Sequence, residues 1–364
     1  DSLMKQNWLD ALADKPKQGA NVEVTIDPAL QQAAYDQLVG PGYEGSAVAI
    51  QPSTGKILAM ASNPGYNPND LMGDSAEDTW ANLQEQEGQP LVNHAGAETL
   101  PPGSIFKIIT TAAGLNNGFD PSSTLTGSNV ITLPDTVTEL TNYANQKCNG
   151  QDAVTLQTAF ALSCNTAFVE MSEQLGADEL RKYAKAFGVG ENYDLGVSTS
   201  AGTLGDLPDG AATAQSAIGQ RDVTMTALQA AVMAGTVANK GTRMQPYLVN
   251  RITDAQMKDV RTTKPKKADQ AVNEETAATL TDLMYASERS SWGYDGNGFA
   301  SKTGTAEHGE GLAPHVWYVA FDPERDIAVG VVVKNGGNLG ESATGGKVSG
   351  PIGRAILRAY QGEQ

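Results

Sequence analysis

Three short strings of residues in this chain carry groups that can do chemistry. They are Ser-Ile-Phe-Lys at 104–107, Ser-Cys-Asn at 163–165 and Lys-Thr-Gly-Thr at 302–305. Together they supply a hydroxyl nucleophile, amines that can act as base or electrostatic partner, a side-chain amide and a row of small residues. Acyl transfer through a covalent serine ester needs these groups. Each string alone is a weak signal, and their joint occurrence indicates an acyl-transfer site.

The first string places Lys107 three residues after Ser104, which on a helix puts both side chains on one face. A serine hydroxyl is a weak nucleophile until a nearby group takes its proton. A lysine can do so if burial and a second cation lower its pKa. Pro101–Gly103 precedes a helical run, Ile105–Leu115, so we expect Ser104 at a helix N-terminus that favours negative charge. The alternative is a capping serine beside a solvated lysine.

The second string interrupts a helical pattern that runs through Thr155–Leu162 and Thr166–Leu175. Serine and asparagine compete with the backbone for hydrogen bonds, so they lie inside a helix at some cost. The functional interpretation is that Ser163 relays a proton, while Asn165 binds a substrate amide and Lys107. The alternative is an ordinary break between two helices.

The third string lies on a predicted strand. Alternation along a strand puts Lys302 and Gly304 on the face opposite to Thr303 and Thr305. A glycine there allows a neighbouring group to approach closely. If the strand faces a cleft, its edge can pair with an extended peptide and offer the backbone N–H of Thr305 to an oxyanion. The alternative is a lysine at a surface strand end followed by a turn.

The elements that position these strings are strands from both ends of the chain with helices in between. The predicted strands are Val22–Ile26, a hairpin of Gly45–Ile50 and Lys56–Ala61, and then Gly298–Thr305, His315–Phe321 and Ile327–Lys334. The predicted helices are Pro28–Val39, Ile105–Leu115, Thr155–Leu162, Thr166–Leu175, Asp178–Phe187, Val223–Asn239, Glu274–Ser287 and Pro351–Tyr360. This order indicates an α+β fold. It has an antiparallel sheet flanked by helices, an inserted mainly helical subdomain at about 104–240, and the active site in the cleft between them.

Composition limits the class of protein. The 364 residues carry a net charge of −17, which argues against nucleic acid as a partner because phosphate binding needs a basic face. No segment approaches the roughly 18 uninterrupted apolar residues of a membrane span. Hydrophobic content of 40% indicates a globular chain.

Cysteine and histidine usage leaves two questions. Cys148 and Cys164 are either a disulfide, whose loop closure would add about 3 kcal/mol, or two partly buried thiols. The three histidines, His94, His308 and His315, are scattered without cysteine or carboxylate spacing around them. We therefore expect no metal site and no cofactor.

The three strings, in this order, resemble those of the penicilloyl-serine transferases, which are penicillin-binding proteins and serine β-lactamases. The chain is most similar to the transpeptidase domain of a class B penicillin-binding protein, and the resemblance runs from about Val22 to Tyr360. The sequence similarity extends beyond the three strings themselves. It includes Leu100–Lys107, Ala161–Phe168, Ser301–Glu307, Val48–Met60, Ile218–Gln220 and Trp317–Phe321.

The resemblance implies specific roles in cross-linking peptidoglycan stem peptides with release of D-Ala. Ser104 would attack the D-Ala-D-Ala carbonyl, with Lys107 as general base. Ser163 and Lys302 would return a proton to the leaving amine. Asn165 would hold the acyl-chain amide. Thr303, Gly304 and Thr305 would bind the terminal carboxylate, and the backbone N–H groups of Ser104 and Thr305 would form the oxyanion hole.

The resemblance also implies partners and a location. Expected ligands are stem peptides, lipid-linked precursors and β-lactam antibiotics, and expected protein partners belong to the cell-wall synthesis machinery. We expect residues 22–364 to form the transpeptidase domain and residues 1–21 to be the remnant of an N-terminal non-catalytic region. The full-length protein is expected at the extracytoplasmic face of the bacterial membrane, held by a single N-terminal anchor that this chain lacks.

Several alternatives share these strings. A D,D-carboxypeptidase uses water as acceptor, and a β-lactam sensor domain has the same motifs. A serine β-lactamase needs a base for deacylation, for which Glu191 and Asp194 are candidates by position, although solvated loop acids are the plainer interpretation. A non-enzymatic alternative is a cell-wall assembly scaffold. The chain length and the string Lys-Thr-Gly-Thr-Ala-Glu at 302–307 favour the transpeptidase over the β-lactamase and the sensor domain.

Overall fold

The computed structural model describes residues 19–309 and 311–362 of the chain. Its strands are β1 (Asn21–Val24), β2 (Gly45–Ile50), β3 (Ile57–Asn63), β4 (Thr124–Thr126), β5 (Val130–Thr132), β6 (Glu139–Thr141), β7 (Ala153–Thr155), β8 (Thr242–Met244), β9 (Val249–Thr253), β10 (Asp259–Thr262), β11 (Lys267–Gln270), β12 (Ala300–Ala306), β13 (His315–Asp322) and β14 (Ile327–Val333).

The α-helices and the 3₁₀ turns complete the list of elements. The helices are α1 (Pro28–Val39), α2 (Ala76–Glu85), α3 (His94–Ala97), α4 (Lys107–Leu115), α5 (Leu156–Leu162), α6 (Asn165–Ala186), α7 (Gly210–Ala217), α8 (Ala227–Ala238), α9 (Glu274–Ser290) and α10 (Gly345–Ala359). The 3₁₀ turns are Pro68–Leu71, Gly103–Phe106, Tyr143–Asn145, Cys148–Gly150 and Lys334–Ser342. Within these described residues, no helix is long and apolar enough to cross a membrane.

An antiparallel sheet with the strand order β12-β13-β14-β2-β3 forms the centre of the fold. The strands therefore come from both ends of the chain, as the sequence predicts. Strand β12, which carries the third string, lies at one edge of this sheet. The α+β prediction is confirmed.

Both faces of the sheet are buried. On one face, alternate residues such as Val48, Trp317 and Val332 pack in a core with α4, α5, α6 and α8. On the other face, Ala47, Tyr318 and the intervening valines of β14 pack against α1 and α10. A sheet buried on both sides explains why β13 and β14 are nearly continuous runs of apolar residues.

Local signals account for the early elements. Helix α1 begins at Pro28, and the Asp27 side chain caps it by accepting hydrogen bonds from the N–H groups of Ala29 and Leu30. The predicted hairpin forms between β2 and β3. The first strand differs slightly from its prediction, because Asn21–Val24 pairs with β9 and the chain leaves that pairing before Ile26.

Within the span predicted to be mainly helical, residues 124–155 form a segment of short strands and 3₁₀ turns. That segment contains two short antiparallel pairs, β4 with β7 and β5 with β6, each three residues long. Strands of three residues are too short to show an alternating pattern. The two helices predicted at Thr166–Leu175 and Asp178–Phe187 are both present. They are the two parts of α6 and are separated at Gly176, whose backbone is not helical, with φ 74° and ψ 171°.

The last helix begins earlier than predicted. Pro351 lies inside α10 rather than at its start, since the helix begins at Gly345. A Cβ at Gly345 would lie 2.2 Å from the carbonyl oxygen of Trp317, so the absence of a side chain lets the helix start directly against β13. This close contact is tertiary, and no periodic pattern in the sequence announces it.

Candidate active site

Ser104 lies in the 3₁₀ turn that leads into α4, with its side chain partly exposed. The sequence predicts Ser104 at the N-terminus of a helix that runs from Ile105 to Leu115, and in the structure the α-helix itself begins at Lys107. Gly103 has a φ of 54°, and a Cβ there would lie 3.0 Å from the carbonyl oxygen of Thr305. The glycine therefore lets the serine segment pass directly against β12.

Lys107 is fully buried and its amine touches the first and second strings. Its Nζ lies 3.1 Å from Oγ of Ser104 and 2.8 Å from Oδ1 of Asn165. It also lies 2.8 Å from the carbonyl oxygen of Ser163 and 3.2 Å from its Oγ. The predicted proximity of the serine, the lysine and the asparagine is thus present.

The second string forms the link between α5 and α6. Ser163 caps the end of α5 in a left-handed conformation, with φ 61° and ψ 41°, and Asn165 begins α6. The side-chain amide of Asn165 donates a hydrogen bond of 3.1 Å to the carbonyl oxygen of Thr141. Between the two, Cys164 forms a disulfide with Cys148, which joins this link to the turn at Cys148–Gly150. Because the helix is interrupted at this link, the side chains of Ser163 and Asn165 both reach the amine of Lys107.

Lys302 brings the third string to the same point. Its side chain is fully buried, and its Nζ donates to Oγ of Ser163 at 3.0 Å and to the carbonyl oxygen of Thr303 at 3.1 Å. One serine hydroxyl thus contacts the amines of both Lys107 and Lys302. A hydroxyl oxygen has two lone pairs and one proton, so Ser163 can pass a proton between its neighbours.

Burial changes the basicity of both amines. It lowers the pKa of Lys107 well below its ordinary value of 10.5, and the nearby charge of Lys302 lowers it further. Burial also lowers the pKa of Lys302, to about 7. A buried ammonium loses its hydration, so the neutral form is favoured. Near neutral pH, Lys107 can therefore accept the proton of Ser104.

The remaining residues of the third string line the edge strand as predicted. Gly304 is buried on the face of Lys302, whereas Thr303 and Thr305 are partly exposed. A Cβ at Gly304 would lie 2.7 Å from the carbonyl oxygen of Pro102, so the serine segment rests on this glycine. The hydroxyl of Thr305 accepts a long hydrogen bond of 3.4 Å from the N–H of Gly345.

Two aromatic residues of the site were not singled out from the sequence. The Nζ of Lys107 lies 5.2 Å from the ring centroid of Phe168, and the Nζ of Lys302 lies 5.7 Å from that of Phe160. Both rings are fully buried and shield the amines from water. The position of Phe168 is a usable signal, because it follows Asn165 by three residues on α6 and residues three apart on a helix share a face.

The acids considered for a β-lactamase have other partners. Both carboxylate oxygens of Glu191 accept hydrogen bonds from Arg243, at 2.7 and 2.8 Å. Asp194 accepts one from the N–H of Gly196 at 3.4 Å. Neither contact involves a residue of the three strings.

The histidines are not all scattered in space. The rings of His308 and His315 stack with their centroids 3.9 Å apart. Even so, among the residues that the structure describes there is no group of three or more histidines, cysteines or carboxylates placed to hold a metal ion.

The assembled geometry can activate an alcohol for attack on a carbonyl. It has a partly exposed serine hydroxyl, a buried amine of lowered pKa in hydrogen-bond reach, a second buried amine, and a hydroxyl between the two amines. These are the parts that covalent acyl transfer requires.

Comparisons with known proteins agree with this chemistry. Residues 45–358 match the penicillin-binding protein transpeptidase domain. The chain is 44% identical to the peptidoglycan D,D-transpeptidase PbpA of Mycolicibacterium smegmatis, covering 99% of this chain and 76% of that protein. It is 41% identical to the protein of the same name from Mycobacterium tuberculosis, covering 99% of this chain and 77% of the relative.

Solved structures of a penicillin-binding protein are also similar to this chain. The ceftriaxone acyl-enzyme complex of penicillin-binding protein A from M. tuberculosis matches with a TM-score of 0.93 at 40% identity, over 98% of this chain and 84% of that one. The penicillin G acyl-enzyme complex of that protein matches with a TM-score of 0.92, also at 40% identity and with the same coverage. With the motifs, the fold and the assembled site in agreement, the chain belongs to the penicillin-binding protein transpeptidase family.

Proposed function

We propose that this chain is a serine-type peptidoglycan D,D-transpeptidase that β-lactams acylate at Ser104. The observation that carries the proposal is the 3.1 Å contact between Nζ of Lys107 and Oγ of Ser104, with that amine fully buried. Relatives at 41–44% identity are named peptidoglycan D,D-transpeptidases, and similar structures hold β-lactams as acyl-enzymes.

In the first half-reaction, Oγ of Ser104 attacks the carbonyl carbon between the last two D-Ala residues of a stem peptide. The hydroxyl proton moves to the neutral amine of Lys107. The bond to the terminal D-Ala nitrogen then breaks. That nitrogen takes a proton that passes through Ser163 from the ammonium group of Lys107 or Lys302. The products are an ester on Ser104 and free D-Ala. Ser163 can pass this proton because its Oγ lies within hydrogen-bond distance of the amines of both Lys107 and Lys302.

In the second half-reaction, an amine from a neighbouring strand attacks the ester carbonyl. The nitrogen–carbon bond of the cross-link forms, and the bond to Oγ of Ser104 breaks. The oxygen recovers a proton from the same relay, while the attacking nitrogen loses one to it. A β-lactam follows the first half-reaction only, because its ring nitrogen stays attached to the acyl group.

Binding roles fall to the residues around the nucleophile. We assign Asn165 to the amide of the acyl chain and Thr303, Gly304 and Thr305 to the terminal carboxylate, or to the carboxylate of a β-lactam. The backbone N–H groups of Ser104 and Thr305 would bind the oxyanion, a contribution of about 3 to 4 kcal/mol per donor in other acyl transferases. The close approach of Gly103 to Thr305 supports this pairing.

The wider setting of the enzyme is part of the same proposal. Residues 22–364 would form the transpeptidase domain of a class B penicillin-binding protein, with a mainly helical subdomain at about 104–240. Its partners would be lipid-linked precursors and the cell-wall synthesis machinery. The full-length protein would work at the extracytoplasmic face of the membrane, held there by an N-terminal anchor.

Intact-mass measurement after exposure to penicillin, followed by peptide mapping, tests the assignment. We expect one adduct on Ser104 that lasts many minutes. Ser104→Ala is expected to abolish the adduct and to leave thermal unfolding nearly unchanged, since it removes almost no packing. Ser75→Ala is the matched control, because Ser75 is exposed and its hydroxyl makes no helix-capping hydrogen bond.

Other outcomes would identify the alternatives. Rapid turnover of the adduct would indicate a β-lactamase, and the complete lack of an adduct in the native protein would indicate a scaffold. Retained acylation in Ser104→Ala would remove the nucleophile assignment. Mass spectrometry of a stem peptide incubated with an acceptor amine then separates cross-linking from hydrolysis by a carboxypeptidase.

A further inference from the structure

A buried carboxylate that the proposed mechanism does not use lies behind strand β12. Glu288, near the end of α9, is fully buried. Its Oε1 accepts hydrogen bonds from Nε of Arg354 at 2.7 Å and from the amide of Asn297 at 3.0 Å. Its Oε2 accepts from the hydroxyl of Tyr318 at 2.9 Å and from the hydroxyl of Ser301.

These contacts form a closed, charge-balanced network. The guanidinium of Arg354, which is 3% exposed, neutralises the carboxylate. Its other N–H groups donate to the carbonyl oxygen of Trp292 at 3.0 Å and to Oγ of Ser291 at 3.1 Å. A buried ion pair is costly to desolvate, and apolar packing can often replace it without loss of stability. Stability alone is therefore a weak explanation for this arrangement.

The network touches β12 at the residue next to a catalytic amine. Ser301 directly precedes Lys302, and its hydroxyl is fully buried. Successive side chains on a strand point to opposite faces. Glu288 therefore holds the strand from behind at Ser301, while the side chain of Lys302 enters the site from the front and reaches Ser163.

Helix α9, which carries Glu288, also contacts the other two parts of the site. It packs against α5, whose C-terminal cap is Ser163, and against α4, which begins at Lys107. The same helix packs along β12. A fixed attachment between α9 and β12 thus sets the distance between Lys302 and the two helices that carry its partners.

We propose that Glu288 is a positioning residue for acyl transfer, which holds Ser301 and thereby fixes the placement of the Lys302 amine against Ser163. This inference rests on the proposed function, since it assumes that Lys302 takes part in acylation. Displacements of about 1 Å in a catalytic group can cost on the order of 100-fold in rate. Loss of a single hydroxyl behind the strand is therefore expected to slow the chemical step.

The test uses Ser301→Ala, because Glu288→Gln would leave the Arg354 guanidinium buried without a counter-charge and endanger folding. Acylation by a fluorescent penicillin is followed at several concentrations, which separates the non-covalent dissociation constant K from the acylation rate constant k2. We expect k2 to fall about tenfold or more and K to change less than about threefold.

Two matched variants control for the loss of a buried hydroxyl. Ser349→Ala removes a fully buried hydroxyl that donates to the carbonyl oxygen of Val316 at 2.7 Å and does not touch Glu288. Tyr318→Phe removes the other hydroxyl donor to Oε2 and leaves the Ser301 contact in place. Both are expected to keep k2 within about threefold of the native value, with losses of thermal stability similar to that of Ser301→Ala.

The outcomes separate this inference from the proposed function. Penicillin acylation of the native protein tests the function, and the variants are compared only with that native rate. An unchanged k2 in Ser301→Ala, or an equal fall in Ser349→Ala, would overturn the positioning role. If Ser301→Ala does not fold, Ser301→Cys keeps the side-chain volume, weakens the hydrogen bond and is judged by the same threshold.

Discussion

At the scale of single residues, the chemistry depends on two buried amines that share one hydroxyl. Lys107 and Lys302 both lie within 3.2 Å of Oγ of Ser163. If both amines were protonated, two ammonium charges beside one hydroxyl would repel each other in surroundings with little water. Burial lowers the pKa of both groups, and so the arrangement favours a state in which one amine is neutral and basic.

Lys107→Met tests the role of that base. The thioether matches the length of the lysine stem but cannot take a proton, so we expect acylation to slow by about 100-fold to 10,000-fold. Thermal unfolding is expected to change little. The lost hydrogen bonds to Asn165 and Ser163 and the relieved burial of an amine act in opposite directions. Labelling with fluorescent penicillin and a thermal melt measure the two effects.

The matched control for this substitution is Lys185→Met, because Lys185 is an exposed lysine on α6. It is expected to label at the native rate. A native rate in Lys107→Met as well would exclude Lys107 as the base and leave the proton of Ser104 to another group.

At the scale of elements, the site depends on how closely the serine segment approaches β12. A Cβ at Gly304 would lie 2.7 Å from the carbonyl oxygen of Pro102, 3.1 Å from Cγ2 of Ile105 and 3.2 Å from Cβ of Trp317. All three neighbours are buried or held by other elements. The indole N–H of Trp317, for example, donates to the carbonyl oxygen of Pro101 at 2.8 Å. The contact leaves no room for even one methyl group.

Gly304→Ala is therefore expected to push the segment that carries Ser104 away from β12. Overpacking of this kind costs about 1 to 3 kcal/mol of unfolding free energy. We expect acylation to fall by on the order of 100-fold, because the nucleophile and the strand that binds the carboxylate move apart. Urea unfolding and penicillin labelling measure these changes.

Gly298→Ala is the control, since a Cβ at Gly298 would meet no atom within 4 Å. Its stability and labelling rate are expected to stay near the native values. Equal behaviour of the two alanine variants would show that the close approach at Gly304 does not matter for function.

At the scale of the whole molecule, burying an amine couples stability to pH. The pKa of Lys302 is lowered from 10.5 to about 7 in the folded protein. Between these values the unfolded chain holds a proton that the folded chain does not. Stability must therefore rise with pH across this window and become independent of this group below about pH 7. The slope is at most about 1.4 kcal/mol per pH unit for one proton.

Lys302→Met isolates this contribution. Urea unfolding at several pH values between 7 and 10 is expected to show a smaller rise of stability with pH in the variant than in the native protein. All other titratable groups, including the acidic residues that give the net charge of −17, are common to both proteins. Their contributions to the pH dependence therefore cancel when the two slopes are compared.

A slope in Lys302→Met as steep as the native one would contradict the lowered pKa. Lys185→Met provides the reference, since it removes an exposed amine and is expected to keep the native slope.

Prediction from sequence succeeded where local rules dominate. The Asp27 cap with Pro28 defined α1, and alternating or continuous apolar runs defined β2, β13 and β14. It failed for α7, whose residues Gly210–Ala217 are mostly small and show little apolar periodicity. That helix exists because its surroundings bury it, a cause that a local pattern does not contain.

The amino-acid sequence by itself determined which reactive groups are present, their order along the chain and the fold class. Only the tertiary structure decided that the hydroxyl of Ser163 contacts both amines, that Cys164 is joined to Cys148, and that Ser301 of β12 donates a hydrogen bond to the buried Glu288. The physical reason is that side-chain types and periodicity are local properties. Distances and burial, which set hydrogen bonds and pKa values, depend on segments far apart in the chain.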